Sequence, residues 1–259
     1  MTTIAFRDMV VDVEGQGPAV VMLHGLGGTS NSFQTLMPRL GGYRVVRPDL
    51  PGAGRSPVPR GKISADGLAT SLLAVLGNLG IERAHIVGHS FGTLVAQHLA
   101  ARSPSLAASL TLFGPIIAPA EAARGRLRDR ATLARESGMD VVADGLLGGS
   151  LSSATHRDNP LAAAFVRESH MRQDAEGFAK SCEALADAEG ADLAMIACPA
   201  LVVTGEDDGV GPPSVAEDLA GRIPGSRCVA LQRCGHWTPI EKPEECGTLL
   251  AEFLHSIMI

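Results

Sequence analysis

Apolar residues along this chain fall into two alternating patterns. Short continuous runs rich in Val, Ile and Leu occur at "AVVMLHG" (19–25), "YRVVRPD" (43–49), "AHIVGHS" (84–90), "LAASLTLFG" (106–114), "ALVVTGE" (200–206) and "RCVALQR" (227–233). Runs of this length without polar alternation predict strands covered on both faces, as in a parallel sheet. Between them the period lengthens. Phe33, Leu36, Met37 and Leu40 fall at i, i+3, i+4 and i+7, and Leu68, Leu72, Val75, Leu76 and Leu79 repeat that spacing before Gly80, a residue suited to ending a helix. Phe91, Leu94, Val95, His98 and Leu99 follow the third run in the same way, and Cys246, Leu249, Leu250, Phe253, Leu254 and Ile257 form the last stripe. Strand–helix alternation of this kind predicts an α/β protein with a doubly wound, mostly parallel sheet.

One region breaks the alternation. Residues 116–195 contain no strand pattern, whereas Met139, Val142, Ala143 and Leu146 form one helical stripe and Phe178, Cys182, Leu185 and Ala186 another. Pro115 and Pro119 mark the entrance, and Gly190 and Pro199 the return to strand. The expectation is an all-helical cap inserted before the last two strands, lying over the strand ends where open α/β sheets bind ligands. The division is then a core of residues 1–115 and 196–259 and a helical cap of residues 116–195 over the active site.

Composition narrows the classes. The 259 residues are 45% hydrophobic and 19% charged, enough to bury a large core. A net charge of −6 argues against a nucleic-acid partner, and the densest cationic run, "RGRLRDR" (124–130), reads as a solvated helix face. No apolar run reaches the roughly 18 residues that span a bilayer, and the N-terminus lacks the basic and apolar regions of a signal peptide. Five cysteines, an odd number without a C-x-x-C pair, fit reduced thiols in a cytoplasmic protein. The eight histidines are scattered, so neither a metal site nor another cofactor is expected.

Candidate chemistry begins at Gly88-x-Ser90-x-Gly92. With 30 glycines in the chain the pattern alone is cheap, so its surroundings must decide. "AHIV" supplies a strand into Ser90, the two glycines remove side chains where strand and helix crowd, and the Phe91–Leu99 stripe supplies the helix: the context of a nucleophile elbow. A serine nucleophile needs a base and an acid to orient that base. Downstream, "LVVTGEDDGVGPP" places Glu206, Asp207 and Asp208 after a strand, and "LQRCGHWTPIEKPEE" delivers His236 after another.

In these motifs the chain resembles the α/β-hydrolase superfamily along nearly its whole length. "HGLGG" (24–28) looks like the oxyanion loop, "DLPGAGRS" (49–56) like the turn after the next strand, "GHSFG" like the elbow, "GEDDGVGPP" like the acid turn and "CGHWTPIEKPEE" like the histidine loop. The resemblance implies a triad of Ser90, Asp208 and His236. Gly205 and Pro212 bracket Asp208 in the family register, with Asp207 as the fallback. It implies an oxyanion hole from the backbone N–H groups of Leu26 and Phe91, and hydrolysis of a small-molecule substrate through an acyl-enzyme. Homodimers are common among such relatives, although no stretch here identifies an interface.

Further residues carry two readings each. His24 is expected to brace the oxyanion loop, and His89 to be a packing or polar neighbour of the elbow. His170 either faces the pocket or lies on a solvated helix face; Trp237 either walls the pocket or anchors structure. Arg172 and Arg167 are candidates to hold a substrate carboxylate, against exposed helical positions. The stretch "RESHMRQDAEGFAKSCEALADAEGADL" together with "CPALVVTGEDDGVGPP" and "RCGHWTPIEKPEE" is similar to the branch containing 3-oxoadipate enol-lactonases, but residues 116–195 lack the tryptophan such lactonases often carry there. The reading is therefore hydrolysis of a small carboxylic ester or lactone, with an enol-lactone favoured. The alternatives are a carbon–carbon bond hydrolase of vinylogous diketones and a slow-turnover ligand receptor of the same fold.

Overall fold

A computed structural model describes residues 1–257, so the last two residues of the expected 196–259 segment lie outside it. Its strands are β1 (Thr2–Phe6), β2 (Met9–Glu14), β3 (Ala19–Leu23), β4 (Arg44–Asp49), β5 (Ala84–His89), β6 (Ala107–Phe113), β7 (Ala200–Gly205) and β8 (Arg227–Leu231). They form one sheet in the order β1-β2-β4-β3-β5-β6-β7-β8. The pairs β1–β2 and β2–β4 are antiparallel and the rest are parallel. The helices are α1 (Ala65–Asn78), α2 (Phe91–Arg102), α3 (Glu121–Ser137), α4 (Met139–Ser150), α5 (Ser153–Asp158), α6 (Pro160–Met171), α7 (Ala175–Ala186), α8 (Pro213–Arg222), α9 (Thr238–Glu241) and α10 (Pro243–His255).

The double winding follows from side-chain alternation within each strand. Val21, Leu23, Ile86, Leu110 and Val202 face a core built with Leu68 and Leu72 of α1, Val95 and Leu99 of α2, and Leu219 of α8. Their neighbours Val20, Met22, Val87, Leu201 and Val203 face the opposite layer, with Phe33, Leu36, Cys246, Leu250 and Leu254. Burial on both faces is what makes these strands continuous apolar runs in sequence.

Two local expectations change. The stripe at residues 33–40 belongs to a 3-10 helix, Ser30–Arg39, which contains Pro38 and starts at a Thr29–Ser32 capping box. The β1–β2 hairpin, not foreseen, adds an antiparallel edge whose β1 is largely exposed and whose buried Asp12 is bonded to Arg55.

Between β6 and β7 lie α3 to α7 and a short 3-10 turn, Leu193–Met195, with no strand among the described residues. This helical insertion has two small cores. Ala131, Ala134, Met139, Val142, Phe178 and Cys182 close on Leu26; Leu151, Ala162, Ala163 and Val166 close on Trp237. Each core therefore ends on a residue from one of the loops that the family motifs singled out. The 124–130 cations lie on α3, where Arg124 donates to the carbonyls of Ala186 and Ala188 and Arg128 pairs with Asp187. All five cysteines are free, and no described helix is long and apolar enough to cross a membrane.

Candidate active site

Ser90 sits between β5 and α2 with φ 53° and ψ −122°, a left-handed backbone that a β-carbon disfavours. At the N-cap of a helix, serine ordinarily turns its hydroxyl onto the first-turn amides. Here no such bond forms; His236 Nε2 lies 2.7 Å from Ser90 Oγ instead. The flanking glycines permit the turn. A β-carbon at Gly92 would lie 2.0 Å from Leu23 O, and one at Gly88 would lie 2.6 Å from Gly92 O.

His236 Nδ1 lies 2.9 Å and 3.1 Å from the two Asp208 oxygens. The hydrogen bonds accepted by that carboxylate give Nδ1 the proton and leave Nε2 to accept from Ser90. Burial alone would raise the Asp208 pKa. The His236 charge and hydrogen bond, with the amides of Val210 and Gly211 at 2.8 Å each, outweigh it and hold Asp208 below the usual carboxylate range. Asp208 is 3% exposed, whereas Asp207 and Glu206 point to solvent, so the acid that meets the imidazole is Asp208.

Leu26 follows Gly25, which lies against Ser90, and Phe91 follows Ser90 itself; among the described residues no hydrogen bond is donated by either backbone amide. Phe91 opens α2, whose first-turn amides and dipole favour negative charge. Gly25 lies so close that a β-carbon there would meet Ser90 Cβ at 2.6 Å. His24 braces this loop: its Nδ1 donates to Gly25 O and its Nε2 accepts from Leu50 N, each at 2.9 Å. On the other side, Ser169 Oγ and Gln173 Nε2 of the insertion donate to Gly27 O at 2.6 Å and 3.2 Å. A cavity of about 10 Å³, room for about one water, is lined by His24, Leu26, Phe91, Gln173 and Phe178 among others.

The remaining candidates divide. His89 is buried and donates from Nε2 to His236 O at 2.9 Å; burial and the nearby His236 depress its pKa to about 3. His170 is 4% exposed rather than solvated, with Nδ1 donating to Val166 O and its ring against Gly27. Trp237 is buried in the insertion's core, with its ring 5.0 Å from His89 and 5.5 Å from His170. Arg172 and Arg167 are 77% and 41% exposed and pair with Glu168 and Asp144 on the surface.

Sequence patterns did not mark three residues at or near the site: Ser169, Gln173 and Glu241. Their contacts cross from the insertion to the core, which periodicity does not encode. The one visible signal is the proximity of Glu241 to His236 in "HWTPIE".

Comparison with known proteins matches this geometry to a class. Residues 18–243 match the model of the alpha/beta hydrolase fold family, and the chain belongs to that family. Among its relatives is a 2-hydroxy-6-oxononadienedioate/2-hydroxy-6-oxononatrienedioate hydrolase of Pseudomonas putida, 33% identical over 93% of this chain and 89% of the relative. An esterase of Thermogutta terrifontis superposes with a TM-score of 0.90 at 27% identity, covering 96% of this chain and 94% of that one. The enol-lactonase of Burkholderia xenovorans LB400 gives 0.88 at 27% identity over 98% and 100%. The protein is a hydrolase of this superfamily.

Proposed function

We propose that the chain hydrolyses a small carboxylic ester or lactone, enol-lactones included, through an acyl-enzyme on Ser90. The observation that carries the reading is the continuous line Asp208–His236–Ser90, with contacts of 2.9 Å and 2.7 Å, ending at two uncommitted amides. Ser90 attacks the carbonyl carbon as His236 takes its proton, and Asp208 holds the imidazole tautomer and stabilises its cation. The oxyanion meets the N–H groups of Leu26 and Phe91; one donor of this kind contributes about 3 kcal/mol to the transition state. His236 returns its proton to the departing alkoxide or enolate oxygen. A water deprotonated by His236 then attacks the acyl carbon, and Ser90 leaves with the proton.

Hydrolysis of a 6-oxodienedioate, as the Pseudomonas relative's name describes, breaks a carbon–carbon bond and is the second reading. That chemistry must deliver a proton to carbon. Burial keeps His170 and His89 neutral, and His24 is bonded at both ring nitrogens, which leaves His236 to move protons. His236 would serve either leaving group; what supports the ester or lactone is the likeness to the esterase and the enol-lactonase, at TM-scores of 0.90 and 0.88 and 27% identity.

Arg130 supports an anionic substrate. It lies partly buried on α3 and has no ion pair or hydrogen bond among the described residues; burial lowers its pKa. Its charge contributes to the depressed pKa of His170, whose ring rests on the oxyanion loop. An unpaired guanidinium of this kind suits a carboxylate.

A panel of p-nitrophenyl acetate and butyrate, several lactones and enol-lactones, and a dienoic diketone tests the reading with wild type and Ser90→Ala. Turnover of esters or lactones that disappears in Ser90→Ala is expected. Turnover of the diketone alone would establish the second reading.

A further inference from the structure

The carboxylate of Glu241 is buried, and no lysine, arginine or histidine pairs with it among the described residues. Four donors surround it instead. Two come from the histidine loop: Gly235 N at 3.0 Å from Oε2 and Trp237 N at 3.1 Å from Oε1, the amides on either side of His236. Two come from the helical insertion: Ser152 N at 2.9 Å and Thr155 Oγ1 at 2.7 Å, both on Oε2. One carboxylate therefore joins the loop that carries His236 to the start of α5.

Other contacts follow the same seam. The amide of His236 donates to Ser150 O at 2.9 Å, and Ser152 Oγ donates to Arg233 O at 3.1 Å. A β-carbon on Gly235 would lie 2.6 Å from Ser152 N, so the two backbones are as close as glycine allows. Trp237 buries its indole among Leu151, Ala162, Ala163 and Val166 of the insertion.

Given His236 as the base, we propose that Glu241 is a positioning residue through which the helical insertion fixes His236. Seating the insertion over the site and completing the triad are then one event. A carboxylate suits the place because Oε2 accepts three hydrogen bonds at once. A glutamine can keep its oxygen at the Oε2 place only by turning its amide nitrogen, with hydrogens of its own, onto the Trp237 N–H. Hydrogen bonds to a charged acceptor are the stronger kind, and an acceptor withdrawn from a buried set leaves its donors unmet.

The test compares Glu241→Gln, Thr155→Val and Thr155→Ser with wild type and His236→Ala, measuring kcat and KM on p-nitrophenyl acetate. Two further readouts are the rate of fluorophosphonate labelling and the emission of Trp237, which reports alone because the chain has one tryptophan. Glu241→Gln should lower kcat and the labelling rate by roughly 10- to 100-fold, the scale of a 1 Å misplacement. KM should stay within about twofold and Trp237 emission should shift. Thr155→Val should move kcat the same way by a smaller factor, and Thr155→Ser, which keeps the hydroxyl, should restore it. If Glu241→Gln lowers only Tm while kcat, labelling and emission of the folded protein match wild type, the proposal is overturned. If Glu241→Gln does not fold, the Thr155 pair decides, and equal kcat for Val and Ser overturns it. A His236→Ala protein as active as wild type would overturn the triad reading instead, which is a different outcome.

Discussion

His236 Nδ1 lies 2.9 Å from Asp208 Oδ2, while Asp207, one residue earlier, is exposed to solvent. That contrast assigns the acid to one of two adjacent carboxylates. In Asp208→Asn the amide can present a donor to Nδ1 and favour the wrong tautomer, so kcat should fall by about 10⁴. Asp207→Asn should stay within about twofold. Steady-state kinetics on the best ester of the panel checks both, and the reverse ranking would move the acid by one residue.

Arg130 gives a prediction about charge on the substrate. Arg130→Ala should raise KM for an ester bearing a free carboxylate, such as mono-p-nitrophenyl succinate, by about tenfold, the scale of one charge-assisted hydrogen bond. KM for neutral p-nitrophenyl acetate should stay within about twofold. Equal effects on both esters would remove Arg130 from recognition.

The crowding around Ser90 separates an activity effect from a stability effect. In Gly25→Ala the new methyl would lie 2.6 Å from Ser90 Cβ, and kcat should drop by roughly 100-fold in a protein that still folds. In Gly92→Ala it would lie 2.0 Å from Leu23 O inside the strand–helix contact. That variant should lose about 1–3 kcal/mol of stability, read from urea unfolding.

Stability should also depend on pH through His85. This residue is 1% exposed with Nδ1 2.8 Å from Ser109 Oγ; burial and the nearby Arg83 push its pKa down to about 4, from an ordinary 6.5. The unfolded chain therefore takes up the proton first. The contribution is complete above pH 6.5 and declines as pH falls from 6.5 towards 4. Between pH 6.5 and 5 the wild type should lose about 2 kcal/mol more than His85→Gln. Parallel losses in the two proteins would mean that His85 is protonated in the folded state.

Six of the eight strands, β3 to β8, and the Ser90, Asp208 and His236 loops were legible because each rests on local pattern: continuous apolar runs, glycines at crowded turns, and chain order. The β1–β2 hairpin was not, since β1 is largely exposed and its partner carries Asp12 inward, held by Arg55. His170 was hidden by its polarity. It sits in "RESHMRQD", yet its ring is covered by Phe178 of the next helix and by Trp237, distant in sequence. Arg172 takes the exposed helical position that was one of its two readings, paired locally with Glu168, four residues back. The bonds of Ser169 and Gln173 to Gly27, and of Glu241 to Thr155, span between 86 and 146 residues. Contacts of that range leave no periodic trace.

The most direct test of the central claim is covalent labelling with a fluorophosphonate followed by peptide mapping. The account predicts a single adduct on Ser90, absent in Ser90→Ala and formed far more slowly in His236→Ala. An adduct on another residue, or equal labelling of wild type and His236→Ala, would contradict it.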